Sequence, residues 1–289
     1  MPRPAPPLLT ALLALSPLAA QVKGPLFPQL SPAASTSQTI GTTVVSVSYH
    51  RPAVKARAIW GGLVPYGQVW RLGANEATTI SFSDPVAVNG QKVPAGTYAL
   101  FAIPNPDRWT LALNKRWKQQ GAYEYDPSQD LLRFDVKPKA APLTEWLTFE
   151  VYPAGYGTAY VDLYWEKLRV SFLVEADVDE LVSKRMRQAM AAHPNDWKLY
   201  ADAAIFSAEQ VIHLGEALGW ADKAMKLNPG PQSQEARARV LYVLRREGEA
   251  IKVMEKAIGE AKAKKMGGAV IGPMESVLGQ WKRNGIGGR

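Results

Sequence analysis

The sequence predicts an antiparallel β-sandwich, jelly-roll-like in its strand arrangement, over residues 38–175, followed by a small all-α region over residues 178–282. Up to about Glu175, apolar and polar residues alternate in short segments, which is the period of a half-buried strand. After Glu175 apolar residues recur every three or four positions, as in amphipathic helices. Turn residues separate the short segments, and this spacing favours a sandwich or barrel over a parallel sheet.

The strand segments follow one another in order. Val45, Val47 and Tyr49 alternate with serines, and residues 85–93 contain the dipeptide Asn89-Gly90. This dipeptide predicts a two-residue hairpin, because both turn positions need a positive φ. Further strands are predicted at 77–83, 97–103, 109–113, 131–136, 146–152, 158–165 and 168–174.

The helical region begins where Asp177 can cap a first helix that reaches Met190. The sequence His193-Pro-Asn-Asp predicts a break and a new cap. Further helices are predicted at 197–207, 209–227, 233–246 and 249–265, with a last amphipathic stretch at 273–282.

The helices carry a repeat. Ala217 and Ala224 have the spacing of the second helix of a tetratricopeptide unit, and Ala250 and Ala257 return 33 residues later. We therefore expect a tetratricopeptide-like region that either docks on the sandwich or contacts a protein partner. Ordinary packing of helical hairpins is the alternative interpretation.

The N-terminus reads as a targeting segment. Residues 1–20 combine Arg3, a short apolar run and the small pair Ala19-Ala20, which predicts a signal peptide. The run is shorter than the about 20 residues that a spanning helix needs. Residues 21–37 are predicted to be a flexible lead-in and residues 283–289 a flexible tail. We expect a periplasmic or secreted protein.

Composition excludes several kinds of site. The chain has no cysteine, which rules out disulfides, thiol nucleophiles and thiolate metal sites, and its three histidines lie far apart in sequence. We therefore expect no metal and no cofactor. The net charge of +8 is not gathered into a basic stripe with aromatic residues, so nucleic acid is not an expected partner. No segment after the leader is apolar enough to span a membrane.

The most unusual segment is residues 49–79, where basic and large aromatic residues are concentrated among glycines. Its charged residues are Arg51, Lys55, Arg57, Arg71 and the single acid Glu76, and its large aromatic residues include Trp60, Tyr66 and Trp70. Arginine forks can hold a carboxylate or phosphate, and aromatic rings can stack on a sugar. The predicted ligand-binding residues are Arg51, Trp60, Tyr66, Trp70, Arg71, Asn75 and Glu76. The alternative is structural: these are turn sequences, and an arginine can pin a loop to a sandwich.

The same segment resembles the family known as domain of unknown function 2911. The resemblance is carried by Arg51-Pro52, the run from Trp60 to Gly67, Val69-Trp-Arg71 and the run from Gly73 to Thr78, and it continues from Pro94 to Pro104 and at Gly121-Ala-Tyr123. It covers about residues 38–175. It implies an exported β-sandwich, in some members with tetratricopeptide-like helices behind, and it implies no particular reaction.

Two functions remain open from the sequence. The first is a non-catalytic module of the cell envelope that binds a small polar or carbohydrate-like ligand or a partner. The alternative is a hydrolase, for example a glycoside hydrolase with a carboxylate pair such as Glu76 with Asp84 or Glu124. A serine triad would have to use His50 beside Ser48 with an unidentified acid. The common hydrolase and zinc-protease motifs do not occur.

Overall fold

The computed structural model describes residues 27–286. The predicted signal peptide at 1–20, the first part of the predicted lead-in and residues 287–289 lie outside this range. Within it, ten strands form two antiparallel sheets. The strands are β1 (Ala33–Ile40), β2 (Thr43–His50), β3 (Thr79–Phe82), β4 (Val86–Val88), β5 (Gln91–Val93), β6 (Gly96–Ile103), β7 (Trp109–Asn114), β8 (Asp130–Val136), β9 (Lys139–Gly155) and β10 (Thr158–Glu175).

The two sheets form the predicted sandwich. The larger has the order β1-β2-β3-β6-β7-β8 and the smaller the order β5-β4-β10-β9. Their inner faces share one hydrophobic core, in which the ring of Tyr49 on β2 meets Phe149 on β9 edge to face at 4.9 Å. Consecutive strands mostly remain neighbours in one sheet, which is the order of a meander rather than of a jelly roll.

Alternation along the strands decides which side chains enter this core. On β2, Val45, Val47 and Tyr49 are buried, whereas Ser46 and Ser48 lie on the outer face. The hairpin at Asn89-Gly90 is confirmed: it joins β4 to β5, and both residues have positive φ, 45° and 78°. The pattern of apolar residues therefore fixes the face of each strand, as it does in other half-buried sheets.

The last two strands are longer than predicted. The segments 158–165 and 168–174 belong to the single strand β10, which pairs with β9. The ladder shifts register around Glu166, whose φ is +55°. Such a bulge bends a strand and interrupts its alternation without ending it, which explains why the sequence pattern indicated two strands.

Strand β1 corrects the predicted lead-in. Residues 33–37 are not a flexible segment but the first part of an edge strand paired with β2. Its inward side chains before the end of the strand are Ala34, Thr36 and Gln38, which are small or polar, and only Ile40 at the end is large and apolar. The segment therefore gives little of the apolar pattern that signals a strand. An edge position tolerates this composition because only one neighbour is needed.

Six helices follow the sandwich. They are α1 (Val178–Ala192), α2 (Trp197–Gln210), α3 (Leu214–Leu227), α4 (Pro231–Val243), α5 (Glu247–Ala263) and α6 (Gly268–Ile286). The predicted boundary near residue 208 lies instead at Val211 and His213, which both have positive φ. No helix among residues 27–286 is both long and apolar enough to cross a bilayer.

The helices pack through the small residues of the repeat. Ala217, Ala221 and Ala224 of α3 are fully buried, and Ala250 and Ala257 of α5 occupy matching buried positions. Small side chains at these places allow neighbouring helices to approach closely. The burial pattern therefore agrees with the predicted repeat.

The C-terminal helix overturns part of the predicted flexible tail, because α6 continues to Ile286. Trp281 near its end is buried and stacks on Tyr242 of α4, with centroids 4.3 Å apart and planes at 7°. Stacked aromatic pairs of this kind contribute about 0.5–1.5 kcal/mol beyond the burial of their surface.

The first helix docks on the sandwich. Val178 at its start is buried against Gly41 and Gly157, where a side chain on either glycine would overlap the valine. About two turns further along, the guanidinium of Arg185 pairs with Asp84 at 2.7 Å. The helical region is thus attached to the sandwich by an apolar contact and an ion pair.

Candidate functional site

The predicted site segment is a long irregular connection between β2, which ends at His50, and β3, which begins at Thr79. It bridges to β9 at Ala53 and to β6 at Trp70. Gly61 shows why it needs glycine: its φ is +78°, and a β-carbon there would lie 2.9 Å from the ring of Tyr66. Tyr66 covers this turn and is partly exposed, and it is not a lining residue of either cavity described below.

Two predicted stacking residues belong to the core instead. Trp60 and Trp70 pack with Trp109 and Trp165 in a cluster whose ring centroids lie 4.9–6.0 Å apart. Trp70 is only 8% exposed. Trp60 meets Trp70 edge to face, and both rings pack in the core, so their predicted role in stacking on a ligand stays a prediction.

Arg51 also has a structural role. Its Nε donates to the carbonyl of Leu147 at 2.9 Å and its Nη2 donates to Oγ1 of Thr148 at 2.6 Å. Both acceptors lie on β9, so the guanidinium pins the start of the irregular segment to the opposite sheet. These contacts support the structural alternative for Arg51, and its predicted role in gripping a ligand stays a prediction.

Arg71 lies in a different setting, in a cavity of about 350 Å³ that we call the Arg71 cavity. Its walls include Val64, Trp70 and Trp165, and its charged lining residues are Lys55, Arg57 and Arg71. The carbonyls of Ala53 and Val54 accept hydrogen bonds from Arg57. No carboxylate belongs to the lining within residues 27–286. The cavity is therefore positively charged without an acidic partner in its wall.

Two residues in the wall of the cavity also carry donors without acceptors. Nε of Arg71 and Nε1 of Trp165 are buried, and neither has a hydrogen-bond partner in the described part of the chain. Trp60 and Trp109 pack in the same tryptophan cluster but do not line the cavity, and their buried Nε1 atoms also have no partner in the described chain. Buried N–H groups are paired in most proteins, so a group of unpaired donors at one cavity is unusual.

Asn75 and Glu76 do not join this cavity. Asn75 has a φ of +55°, its side chain donates to the carbonyl of Ser31 at 3.3 Å, and its own carbonyl accepts from the amide of Gly121. It organises a turn. Glu76 instead faces a second depression, where its Oε2 lies 3.4 Å from Nδ1 of His50. The seven predicted residues thus do not converge on one face.

The second depression is larger, about 920 Å³, and we call it the Trp117 groove. It lies on the outer face of the six-stranded sheet, and the loop of residues 117–120 forms one wall. Sequence reasoning missed this loop, because it lies about 40 residues after the segment that drew attention. It also gave Lys55, Arg57 and Trp165 no ligand-binding role. The register of the paired strands is the sequence signal that could have indicated that Ser48 and His50 line this groove.

The two acids considered as partners of Glu76 for hydrolysis are each held by an arginine. Asp84 pairs with Arg185, and Glu124 pairs with Arg116. Neither acid lines the groove that holds Glu76. Among the described residues there is also no group of three or more side chains that could hold a metal ion.

Comparison with known proteins agrees with the β-sandwich boundaries. Residues 31–174 match the family described as "Protein of unknown function (DUF2911)". The match covers the sandwich and the whole irregular segment, and it confirms the resemblance seen in the sequence. No curated protein and no solved structure matches the chain.

Proposed function

We propose that this DUF2911 domain binds a small anionic ligand, a carboxylate or a phosphate, in the Arg71 cavity. The observation that carries the proposal is the joint presence of three cations and two unpaired N–H donors around one cavity, with no carboxylate among the described lining residues. Every unsatisfied group there is a donor. The complementary ligand is therefore an acceptor with negative charge.

Energetics support the same conclusion. A buried donor without an acceptor costs about 1–3 kcal/mol, and like charges around one cavity repel each other. A bound anion would accept from Arg71 and Trp165 and would neutralise part of the charge of Lys55 and Arg57. Hydrogen bonds of this charge-assisted kind are roughly twice as strong as neutral ones.

Cavity size and walls narrow the ligand class. About 350 Å³ is near the lower end of the range of small-molecule sites, about 300–1,000 Å³. Val64, Trp70 and Trp165 give the cavity apolar walls beside the cations. We therefore expect a small acid with a short carbon skeleton. The described lining has no imidazole or carboxylate to act as a base, so we favour binding over catalysis.

We also propose that the protein acts in the cell envelope or outside the cell. The leader-like residues 1–20 support this location. Mass spectrometry of the protein from its native cells should find an N-terminus at or near Gln21. A chain that keeps Met1 in a cytoplasmic fraction would contradict export while leaving anion binding open.

Calorimetric titration of the purified protein tests the binding function. We expect heat of binding with at least one of inorganic phosphate, sulfate, acetate and succinate, and none with acetamide, the neutral counterpart of acetate. Arg71→Ala should weaken that binding about tenfold or more, because a charge-assisted hydrogen bond contributes about 1.5–3 kcal/mol and 1.4 kcal/mol is a factor of ten.

The matched control is Arg108→Ala. Arg108 is exposed, pairs with Asp135 and lies outside the Arg71 cavity. This variant should bind the anion as tightly as the unchanged protein. The proposal fails if none of the four anions binds, or if the two variants bind equally well.

A further inference from the structure

The floor of the Trp117 groove is a row of hydroxyl groups set by strand register. Ser35 on β1 pairs with Ser48 on β2, and Ser48 pairs with Thr79 on β3. Side chains that are directly opposite in paired strands lie on the same face of a sheet. The three hydroxyls therefore follow one another across three neighbouring strands, and all three residues line the groove.

The wall of the groove adds an aromatic surface. The side chain of Trp117 remains 39% exposed, whereas the core tryptophans Trp70, Trp109 and Trp165 are buried. Lys118 lies over one side of this ring, with its Nζ 4.9 Å from the centroid. An exposed tryptophan beside hydroxyl groups offers an apolar plane to a ligand that is otherwise hydrated.

Gln119 supplies a buried acceptor in the same wall. The residue is 8% exposed, and its Nε2 donates to the carbonyl of Arg116. Its Oε1 is buried and has no hydrogen-bond partner within residues 27–286. A buried acceptor without a donor is costly, so a ligand that brings O–H or N–H groups into this groove would satisfy it.

The charges of the groove nearly cancel. Its charged side chains are Lys118 and Glu76, and Glu76 lies against His50 at 3.4 Å. This contrasts with the Arg71 cavity, where cations stand alone. The balance favours a neutral ligand, and the mixture of hydroxyl, amide and carboxylate groups favours one with many hydroxyls.

We infer that the Trp117 groove binds a neutral oligosaccharide. One sugar ring packs its apolar face on Trp117, its hydroxyls donate to Oε1 of Gln119 and to Glu76, and the chain crosses the hydroxyl floor formed by Ser48 and its neighbours. The volume of about 920 Å³ is at the upper end of the range of ligand sites, about 300–1,000 Å³, which suits more than one sugar ring. This site is separate from the anion cavity and does not depend on it.

Titration of the full protein with cellotriose, maltotriose and N,N′-diacetylchitobiose, followed by tryptophan fluorescence and by saturation-transfer NMR, tests the inference. At least one of these neutral sugars should bind and change the fluorescence. Trp117→Ala should abolish binding. The matched control is Trp146→Ala, because Trp146 is 41% exposed but lies outside the groove; this variant should bind like the unchanged protein.

A second variant guards against a folding defect. Glu76→Gln keeps the size of an exposed side chain and should weaken sugar binding at least severalfold with an unchanged melting temperature. The inference is overturned if none of the three sugars binds at millimolar concentration. It is also overturned if binding survives both Trp117→Ala and Glu76→Gln, or if Trp146→Ala removes it as well. Phosphate or succinate binding should be the same in all three variants.

Discussion

Trp70 stacks on Trp165, with ring centroids 5.7 Å apart and ring planes at 19°. One ring comes from the irregular segment and the other from β10, so the contact joins the irregular segment to the smaller sheet. Trp60 meets both rings edge to face, and Trp109 meets Trp70 in the same way. The tryptophans of the segment thus pack in the core. Its basic residue Arg71 instead lines a cavity.

Removal of the stacked ring of Trp70 should lower the stability of the sandwich. Trp70→Ala should lower the free energy of unfolding by about 3–5 kcal/mol, which is the usual cost of deleting a buried aromatic side chain. Urea unfolding monitored by circular dichroism measures this change. Tyr66→Ala, in the same segment but partly exposed, is the control and should cost far less. Equal losses in the two variants would contradict the core role of Trp70.

Two arginines of one segment should respond in opposite ways to truncation. Arg51→Ala removes two hydrogen bonds to β9 and should lower the free energy of unfolding by about 2–3 kcal/mol, since hydrogen bonds to charged groups contribute about 1.5–3 kcal/mol. Arg71→Ala removes a cation that has no hydrogen bond or ion pair from its side chain in the described chain. It should leave stability unchanged or slightly higher. The same urea measurement applies, and a large loss at Arg71 would assign it a structural role.

The sequence predicted the fold better than it predicted the site. Alternation at Val45, Val47 and Tyr49 is a local pattern, and so is the Asn89-Gly90 hairpin. Whether Arg51 meets a ligand or a carbonyl depends on Leu147, almost 100 residues away, and composition carries no such information. Strand β1 was missed for a related reason. Most of its inward residues are not large and apolar, and the strand is held by its pairing with β2, which is distant information that the local pattern does not carry.

The contact between the sandwich and α1 should weaken in acid. Burial alone would raise the pKa of Asp84, but hydrogen bonds from Ser83 and Arg185, together with the charge of Arg185, hold that pKa below its ordinary value of 3.8. A lowered carboxyl pKa stabilises the fold above the unfolded-state pKa, and the contribution is lost as the pH falls through the folded-state pKa.

Asp84→Asn tests this pH dependence. The variant should lose about 1 kcal/mol or less at neutral pH, because Arg185 is nearly half exposed and the pair is screened by solvent. The difference from the unchanged protein should shrink below about pH 4, the region of an unperturbed aspartate. Thermal unfolding at several pH values measures it, and a difference that stays constant from pH 7 to pH 2 would contradict the ion pair's role.

Two glycines should respond differently to alanine. Gly41 has a φ of +56°, and a β-carbon there would overlap Val178, so Gly41→Ala should destabilise the junction between the sandwich and α1. Gly219 is an exposed position inside α3 with open space around it, and Gly219→Ala should raise stability by about 0.5–1 kcal/mol. Differential scanning calorimetry reports both shifts. A melting temperature unaffected by Gly41→Ala would show that Val178 does not pack there.

The anion site is tested most directly at its two unpaired donors. In ¹⁵N-labelled protein, the Nε–H of Arg71 and the Nε1–H of Trp165 give NMR signals that can be assigned from Arg71→Lys and Trp165→Phe. Titration with the anion that binds by calorimetry should shift both signals together, with the dissociation constant that calorimetry gives, because each donor gains an acceptor. If both signals stay in place while the anion saturates the protein, the anion does not bind in the Arg71 cavity.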